Sequence, residues 1–139
     1  MSIAATHKTI RTVFKEQITE GNDGDPEIAT SFPNMKFTPP TDGSVWCQLT
    51  IKPVNNDQVT IGGANSRRFR YSGLVFVNVR CALNRGDKKV LEVVDRIKLT
   101  FRTQTTDGVV FRTPEVTSEM NVGKWYQVTI VCPFYAEET

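Results

Sequence analysis

The sequence predicts an α+β fold, in which a mostly antiparallel sheet of four to five strands carries two helices packed on one face. Two segments, residues 10–18 and 90–101, place apolar residues at spacings of three and four, as amphipathic helices do. Three others, residues 45–52, 67–83 and 125–134, alternate with a period of two, as half-buried strands do. Two helices can cover only one face of such a sheet, so the other face stays open.

The chain has 139 residues, of which 39% are hydrophobic and 23% are charged. This is enough for one continuous core, and we expect a single domain over residues 1–139. No apolar run approaches the roughly 20 residues that cross a bilayer, so no membrane partner is expected. The first ten residues lack the organisation of a signal peptide, which predicts synthesis in the cytosol.

The first helix is predicted from Thr6 to Glu20. Its apolar stripe consists of Ile10, Val13, Phe14 and Ile18. The proline-containing stretch from Phe32 to Asp42 reads as an irregular connection, with one short strand near residues 35–38.

The first long strand starts at Val45, and a polar connection from Pro53 to Ser66 follows it as an arm or extended hairpin. A second long strand runs from Arg67 to Leu83. After a turn at residues 85–87, a second helix spans Lys88 to Phe101.

The remaining chain predicts a strand at Val109–Thr113, a polar bridge, and a last strand from Trp125 to Phe134. In the last strand the even positions are the more uniformly apolar ones, which places Trp125 and Val131 on the face away from the core.

The open face is predicted to expose large apolar side chains, rimmed by arginines. The apolar set is Trp46, Leu74, Phe76, Trp125 and Val131, and the rim is Arg68, Arg70 and Arg80. Aromatic residues with arginine are typical of protein–protein interfaces, so we predict a subunit interface here. The alternative is that the N-terminal segment or the proline-containing connection folds over this face.

Basic residues concentrate in the middle of the chain: residues 51–100 hold ten Lys or Arg against four Asp or Glu. The stretch is either a solvated hairpin and helix start or a surface for an acidic partner. Five residues in or next to the polar arm are predicted to contact a partner or to line a lumen: Asn55, Asp57, Arg67, Arg68 and Arg70.

Catalytic, cofactor and metal sites are not expected. Cys47, Cys81 and Cys132 lie far apart in strand-like patterns, which is typical of buried thiols in a reducing compartment. His7 is the only histidine, so the sequence has no His pair. The wide spacing of the cysteines leaves no Cys-x-x-Cys cluster, and no Cys–His pair is evident for nucleophilic catalysis. No glycine-rich loop joins a strand to a helix, so nucleotide fingerprints are absent.

Taken in order, the landmarks resemble those of the tail terminator (tail completion) protein family of long-tailed bacteriophages. The likeness covers nearly the whole chain. Its landmarks are an N-terminal helix, Phe37-Thr38-Pro39-Pro40, Val45-Trp46, Arg70-Tyr71-Ser72-Gly73, Gly86-Asp87, a helix ending at Phe101, Val109-Val110-Phe111, Pro114, Trp125-Tyr126-Gln127-Val128 and Pro133-Phe134.

The resemblance implies a non-enzymatic structural subunit that forms a ring, for which we expect six copies. Such a ring caps the head-proximal end of the tail tube, stops tube polymerisation and joins the tail to the head connector. The implied partners are further copies of the chain, the tail tube protein and the head–tail connector protein, with DNA only as the genome passing through the lumen. The implied location is the virion tail, after assembly in the host bacterial cytoplasm.

Two other functions remain open at this point. The first is another ring of the phage neck, such as a head-closure or tail-completion protein. The second is a small nucleic-acid-binding module that uses the basic and aromatic residues of 66–71. Phe69 and Tyr71 share a strand face with the core valines, which favours burial over stacking on bases.

Overall fold

A computed structural model of the chain describes residues 3–19, 28–40, 43–58, 69–83, 88–103, 105–106 and 108–138. In chain order the elements are α1 (Ile3–Phe14) with a π-helical extension (Lys15–Thr19), β1 (Ala29–Ser31), β2 (Trp46–Gln58), β3 (Phe69–Ala82), α2 (Lys88–Thr103), β4 (Thr105–Thr106), β5 (Val109–Phe111), β6 (Glu115–Val122) and β7 (Trp125–Glu138). No helix in this described part of the chain is long and apolar enough to span a membrane.

The α+β prediction is confirmed, with a mixed rather than purely antiparallel sheet. The described strands run in the order β1-β2-β3-β7-β5-β4, and β6 pairs with β7 on the same side as β5. Only β1 and β2 among these strands are parallel. The structure describes seven strands instead of the predicted four to five, because β1, β4 and β6 were not predicted. β1 and β4 are too short to show a period.

Both helices lie on one face of the sheet and close the core there. The stripe of α1 and its extension joins that of α2: Ile10, Phe14, Ile18, Val90, Val94, Ile97 and Phe101. They pack on alternate residues of the three long strands, including Leu49, Val77 and Ile130, none of which is more than 1% exposed. Arg96 Nη2 donates to the carbonyls of Gln17 (2.9 Å) and Ile18 (3.2 Å), which ties α2 to the end of the first helix.

The arm was correctly predicted to be an extended hairpin over its described part. β2 continues to Gln58, and its end pairs with β3 as far as Phe69, after a register shift between Pro53 and Asn55. Residues 59–68 lie outside the described residues, as does the predicted turn at 85–87.

Two predictions were wrong. Residues 35–38 form no strand; the short strand is β1 instead, which gains hydrogen bonds by lying parallel to the start of β2. The polar bridge after Val109–Phe111 contains an eight-residue strand, β6, which pairs antiparallel with β7. Its exposed, mostly polar sequence carries no buried alternation, so the periodicity did not reveal it.

Gly73 marks the point where β2 shifts register against β3. A Cβ at this position would lie 2.6 Å from the carbonyl oxygen of Lys52 and 2.8 Å from the Phe134 ring. The backbone of Gly73 does not have a positive φ, so its dihedral angles do not require glycine. Glycine is needed here because the neighbouring strand and ring approach so closely. The Phe134 ring covers the space that a side chain would fill.

Candidate functional site

The open face lies opposite the helices and is built from rows of cross-strand neighbours on β2, β3, β7 and β6. From one end to the other the rows are Ala82/Trp125/Val122, Trp46/Arg80/Gln127/Met120, Gln48/Asn78/Thr129/Ser118, Thr50/Phe76/Val131/Glu115, Lys52/Leu74/Pro133 and Ser72/Tyr135. The five predicted interface residues all belong to this face. They do not form one patch, because a polar row separates the tryptophans from the others.

The tryptophan end is partly closed within the subunit. Trp46 is only 4% exposed, so its predicted exposure was wrong. Its ring packs against Phe37, 5.3 Å between centroids, and edge-on against Trp125 at 5.5 Å. The proline-containing connection thus covers this corner, which was the alternative that the sequence left open. Trp125 itself stays half-buried.

Two cations lie over the tryptophan rings. The Arg80 guanidinium lies 5.2 Å from the Trp46 ring centroid, and Lys124 Nζ lies 5.3 Å from that of Trp125. Partial burial lowers the pKa of Arg80 below its ordinary value, although an arginine remains charged in either case.

A chain of hydrogen bonds crosses the middle of the open face. Arg80 Nε donates to Gln127 Oε1 (2.7 Å), and Gln127 Nε2 donates to Thr129 Oγ1 (3.2 Å). Thr129 Oγ1 in turn donates to Asn78 Oδ1 (2.8 Å), whose Nδ2 donates to Gln48 Oε1 (3.4 Å). These side chains hold one another in fixed positions, so the polar row is an ordered part of the surface rather than a set of independent side chains.

Beyond the polar row lies an apolar patch formed by Leu74, Phe76 and Val131, all half-buried. Sequence reasoning missed two more apolar residues of this face, Met120 (49% exposed) and Val122 (36% exposed). They sit on β6 opposite Gln127 and Trp125. The signal that could have found them is the Gly123-Lys124 pair ahead of the last strand, which is typical of a hairpin turn.

The arginine end of the face is organised by Tyr135. The guanidinium of Arg70 lies 4.5 Å from the Tyr135 ring centroid and that of Arg112 lies 5.2 Å from it. Of the predicted arm and lumen residues, Arg70 is therefore held on the open face. Asn55 and Asp57 pair with β3 through their backbones, opposite Ser72 and Arg70. Arg67 and Arg68 lie outside the described residues.

The three cysteines are buried in the core. Burial raises the pKa of the Cys47 thiol and of the Cys132 thiol to about 12, so both remain protonated and weakly nucleophilic. Cys81 is also buried and forms no disulfide. Within the described ranges, no group of three or more His, Cys, Asp or Glu side chains is placed to hold a metal ion.

The basic and aromatic segment at 66–71 does not offer its tyrosine to a ligand. Tyr71 is 2% exposed and packs on Phe134, with 5.8 Å between ring centroids. Its hydroxyl forms a 2.9 Å hydrogen bond with His7 Nε2 on α1. A base could stack on this ring only if the first helix moved away, which argues against the nucleic-acid-binding alternative.

Comparison with known proteins identifies the family. The family model described as phage tail terminator protein matches residues 9–134, nearly the whole chain. A protein of known structure aligns with a TM-score of 0.66 at 20% sequence identity, over 95% of each chain, which shows a shared fold. No curated protein matches. The chain therefore belongs to the phage tail terminator family and has a structural role in the phage tail.

Proposed function

We propose that this chain is the subunit of a ring, of six copies, that caps the head-proximal end of the phage tail tube. In this role it stops tube polymerisation and joins the tail to the head connector, without enzymatic activity. The observation that carries the proposal is the family match together with an open sheet face whose composition suits a protein partner.

The open face supports a protein contact on energetic grounds. Leu74, Phe76, Trp125 and Val131 are each half-buried in the isolated subunit, and Met120 and Val122 extend the apolar surface along β6. Completing the burial of such a side chain is worth up to about 1.5–3 kcal/mol. A contact with a neighbouring subunit would bury several of these side chains together, so their burial free energies would all favour association.

The ordered polar row gives this surface specificity. Asn78 and Thr129 of this row bond to each other, and the bonds continue to Gln127 and Arg80 of the neighbouring row, so a partner would cover side chains whose positions are already fixed. An apolar surface divided by a prearranged polar row accepts a partner in one register. This supports a subunit contact with a fixed rotation, which a closed ring requires.

Capping of the tail tube depends on the surface that the ring turns towards the tube and on the surface that it turns away from it. The described end of the arm, residues 53–58, is paired with β3 beyond the register shift, so its backbone is already hydrogen-bonded on that side. We propose that it contacts the last ring of the tube or the neighbouring subunit, together with Arg67 and Arg68, while Arg70 faces the lumen through which DNA passes. A surface unlike the tube subunit's own gives no template for further growth.

The first test is the solution mass of the purified chain, measured by light scattering after size exclusion over a range of concentrations. A mass of about six subunits, or a monomer that converts to it as concentration rises, supports the ring. Addition to purified tail tubes should then block their elongation. A chain that assembles but neither binds tubes nor halts their growth would place it in another neck ring.

A matched pair of variants tests the open face itself. Phe76→Asp puts a charge into the apolar patch, whereas Leu99→Asp makes the same change on the outer side of α2, where Leu99 is 60% exposed. We expect the first to prevent ring formation and the second to leave it unchanged, with thermal melting confirming that both variants are folded. Equal assembly by the two variants would remove the open face from the interface.

A further inference from the structure

β6 forms an acidic and apolar edge at one side of the sheet. Among the described strands it pairs with β7 alone, along one side. Its side chains include exposed Glu115 and Glu119, and it contains no basic residue. Val116 is 41% and Met120 is 49% exposed. The register places Glu115 and Met120 on the open face, and Val116 and Glu119 on the face towards the helices, so the four residues meet at the rim of the strand. Glu119 Oε2 accepts a hydrogen bond from the Tyr126 hydroxyl (3.3 Å). We call these four residues the acidic edge.

A basic cleft lies between the first helix and the chain that follows β1. Its volume is about 320 Å³. The lining residues are Lys8, Arg11, Thr12, Lys15, Phe32 and Met35. The three cations recur at helical spacing along one side of the first helix, and α1 contains no acidic residue. Met35 is 65% exposed at the mouth.

These two surfaces complement each other in charge and in apolar content. Two carboxylates and two exposed apolar side chains on the acidic edge match three cations and two apolar side chains in the cleft. Within one copy they adjoin different ends of the strand order, because Phe32 and Met35 of the cleft follow β1, whereas β6 pairs with β7. Four strand spacings separate β1 from β6, which is roughly 19 Å along the sheet at about 4.8 Å per spacing.

We infer that the acidic edge of one copy binds the basic cleft of the next copy, through Glu115 and Glu119 on one side and Lys8, Arg11 and Lys15 on the other. This inference rests on the proposed ring and identifies its contact. The two surfaces differ, and each copy carries both, so the contact is heterologous and runs head to tail. Because β6 also borders the open face through Met120, the edge contact brings that face against the neighbour.

Charge reversal gives the decisive experiment. The edge-reversed chain carries Glu115→Lys and Glu119→Lys, and the cleft-reversed chain carries Lys8→Glu and Arg11→Glu. Each reversed chain repels its own copies, so we expect at least a tenfold weaker self-association by sedimentation velocity. An equimolar mixture restores opposite charges at every contact and should recover assemblies of the wild-type size.

The control chain carries Glu92→Lys and Asp95→Lys, the same number of reversals at exposed positions of α2, and should assemble as wild type does. Cross-linking gives a second measurement that does not depend on reversed charges. Chains with Met35→Cys and with Met120→Cys, mixed and oxidised by copper phenanthroline with oxygen, should form a mixed disulfide-linked dimer. Neither chain alone should cross-link to a comparable extent, because each lacks the second exposed thiol.

Several outcomes would overturn the inference. These are a wild-type chain that stays monomeric at every concentration, a cleft-reversed chain that assembles normally, a mixture that does not recover, or thiols that fail to cross-link. Binding to tail tubes is measured separately with the wild-type chain. Tube capping by a wild-type chain whose charge reversals have no effect leaves the proposed function standing, whereas self-assembly without tube binding counts against the proposed function alone.

Discussion

Strands β3 and β6 lie in the same sheet but are specified in different ways. β3 pairs on both sides, and its side chains alternate between fully buried and half-buried from Arg70 to Cys81. In the described part of the sheet β6 pairs on one side, with β7, and of its eight residues just Ser118 is not exposed. Alternate burial holds β3 in register, because a slip by one residue would exchange its faces. β6 has no such constraint, and its position depends on the hairpin with β7.

The two strands contribute to different properties of the protein: β3 to the stability of the fold and β6 to contacts with a partner. A strand whose side chains are buried contributes to the free energy of unfolding through packing, and changes in it are felt throughout the core. A strand whose side chains face water contributes little there and is free to carry residues for a partner. Four predictions test or sharpen this contrast.

The largest change in the free energy of unfolding should come from a cross-strand pair with one buried and one exposed side chain. Ile130 on β7 is fully buried and pairs directly with Val116 on β6, which is 41% exposed. Ile130→Ala should lower the free energy of unfolding by about 2–5 kcal/mol, because it leaves a cavity. Val116→Ala should change it by no more than about 0.5 kcal/mol. Urea unfolding of both variants measures the contrast, and similar losses would show that β6 is part of the core.

A smaller loss is expected from Gly73→Ala in β3. The added methyl group would meet the Lys52 carbonyl and the Phe134 ring, so the strands must separate or the ring must move. Overpacking of this kind costs about 1–3 kcal/mol. Gly123→Ala in the β6–β7 turn is the instructive comparison: nothing lies within 4 Å of its Cβ position, and its φ of 56° is strained for alanine. Gly73→Ala should therefore widen the strand spacing, seen in amide exchange, whereas Gly123→Ala should affect the turn alone.

Thiol accessibility offers a third contrast. Cys47 and Cys132 are buried, and each has a pKa of about 12, so neither should react with a thiol reagent in the folded chain at neutral pH. A cysteine placed at Met120 on β6 should react promptly in the dilute, unassembled chain, where this position is 49% exposed. Mass spectrometry after brief exposure to iodoacetamide should find one modified thiol in Met120→Cys and none in the wild-type chain. Rapid modification of Cys47 in the native protein would mean that the β2 end of the core opens.

The smallest effect concerns His7, which joins α1 to β3 through the Tyr71 hydroxyl. Desolvation, with the charge of Arg11, lowers the pKa of His7 in the folded chain. The unfolded chain therefore binds a proton on His7 more tightly than the folded chain does. The stabilisation that neutral His7 contributes above about pH 6.5 is lost as the pH falls through the folded pKa. Between about pH 7.5 and about pH 5.5, wild type should lose more stability in urea titrations than His7→Gln. Identical losses would show that His7 does not titrate differently on folding.

The sequence predicted best those segments whose pattern of apolar and polar residues is set by burial in the core. The stripes of α1 and α2 and the alternation of β2, β3 and β7 predicted the elements that the core requires, within a few residues at their ends. The open face was identified by the same alternation, because residues on one side of a strand stay on that side. The family was predicted from landmarks such as Gly73 and Trp125, and the match over residues 9–134 confirms it.

Details that depend on long-range contact were not predictable. The exposure of Trp46 failed as a prediction because Phe37, nine positions away and in an irregular segment, covers its ring. β6 was missed because its pairing partner, rather than its own composition, makes it a strand. The basic cleft was also hidden, since its cations and Met35 come from segments that only the packing of the first helix against β1 brings together.

The sequence by itself determined the fold class, the two helix stripes, the open side of the sheet and the family, because each follows from which residues must leave water. The tertiary structure alone decided which parts of the open face remain accessible, where β6 pairs in the sheet, and which segments come together to form the basic cleft. The physical reason is that burial is recorded residue by residue along the chain, whereas an exposed surface is assembled from distant segments whose composition follows no period.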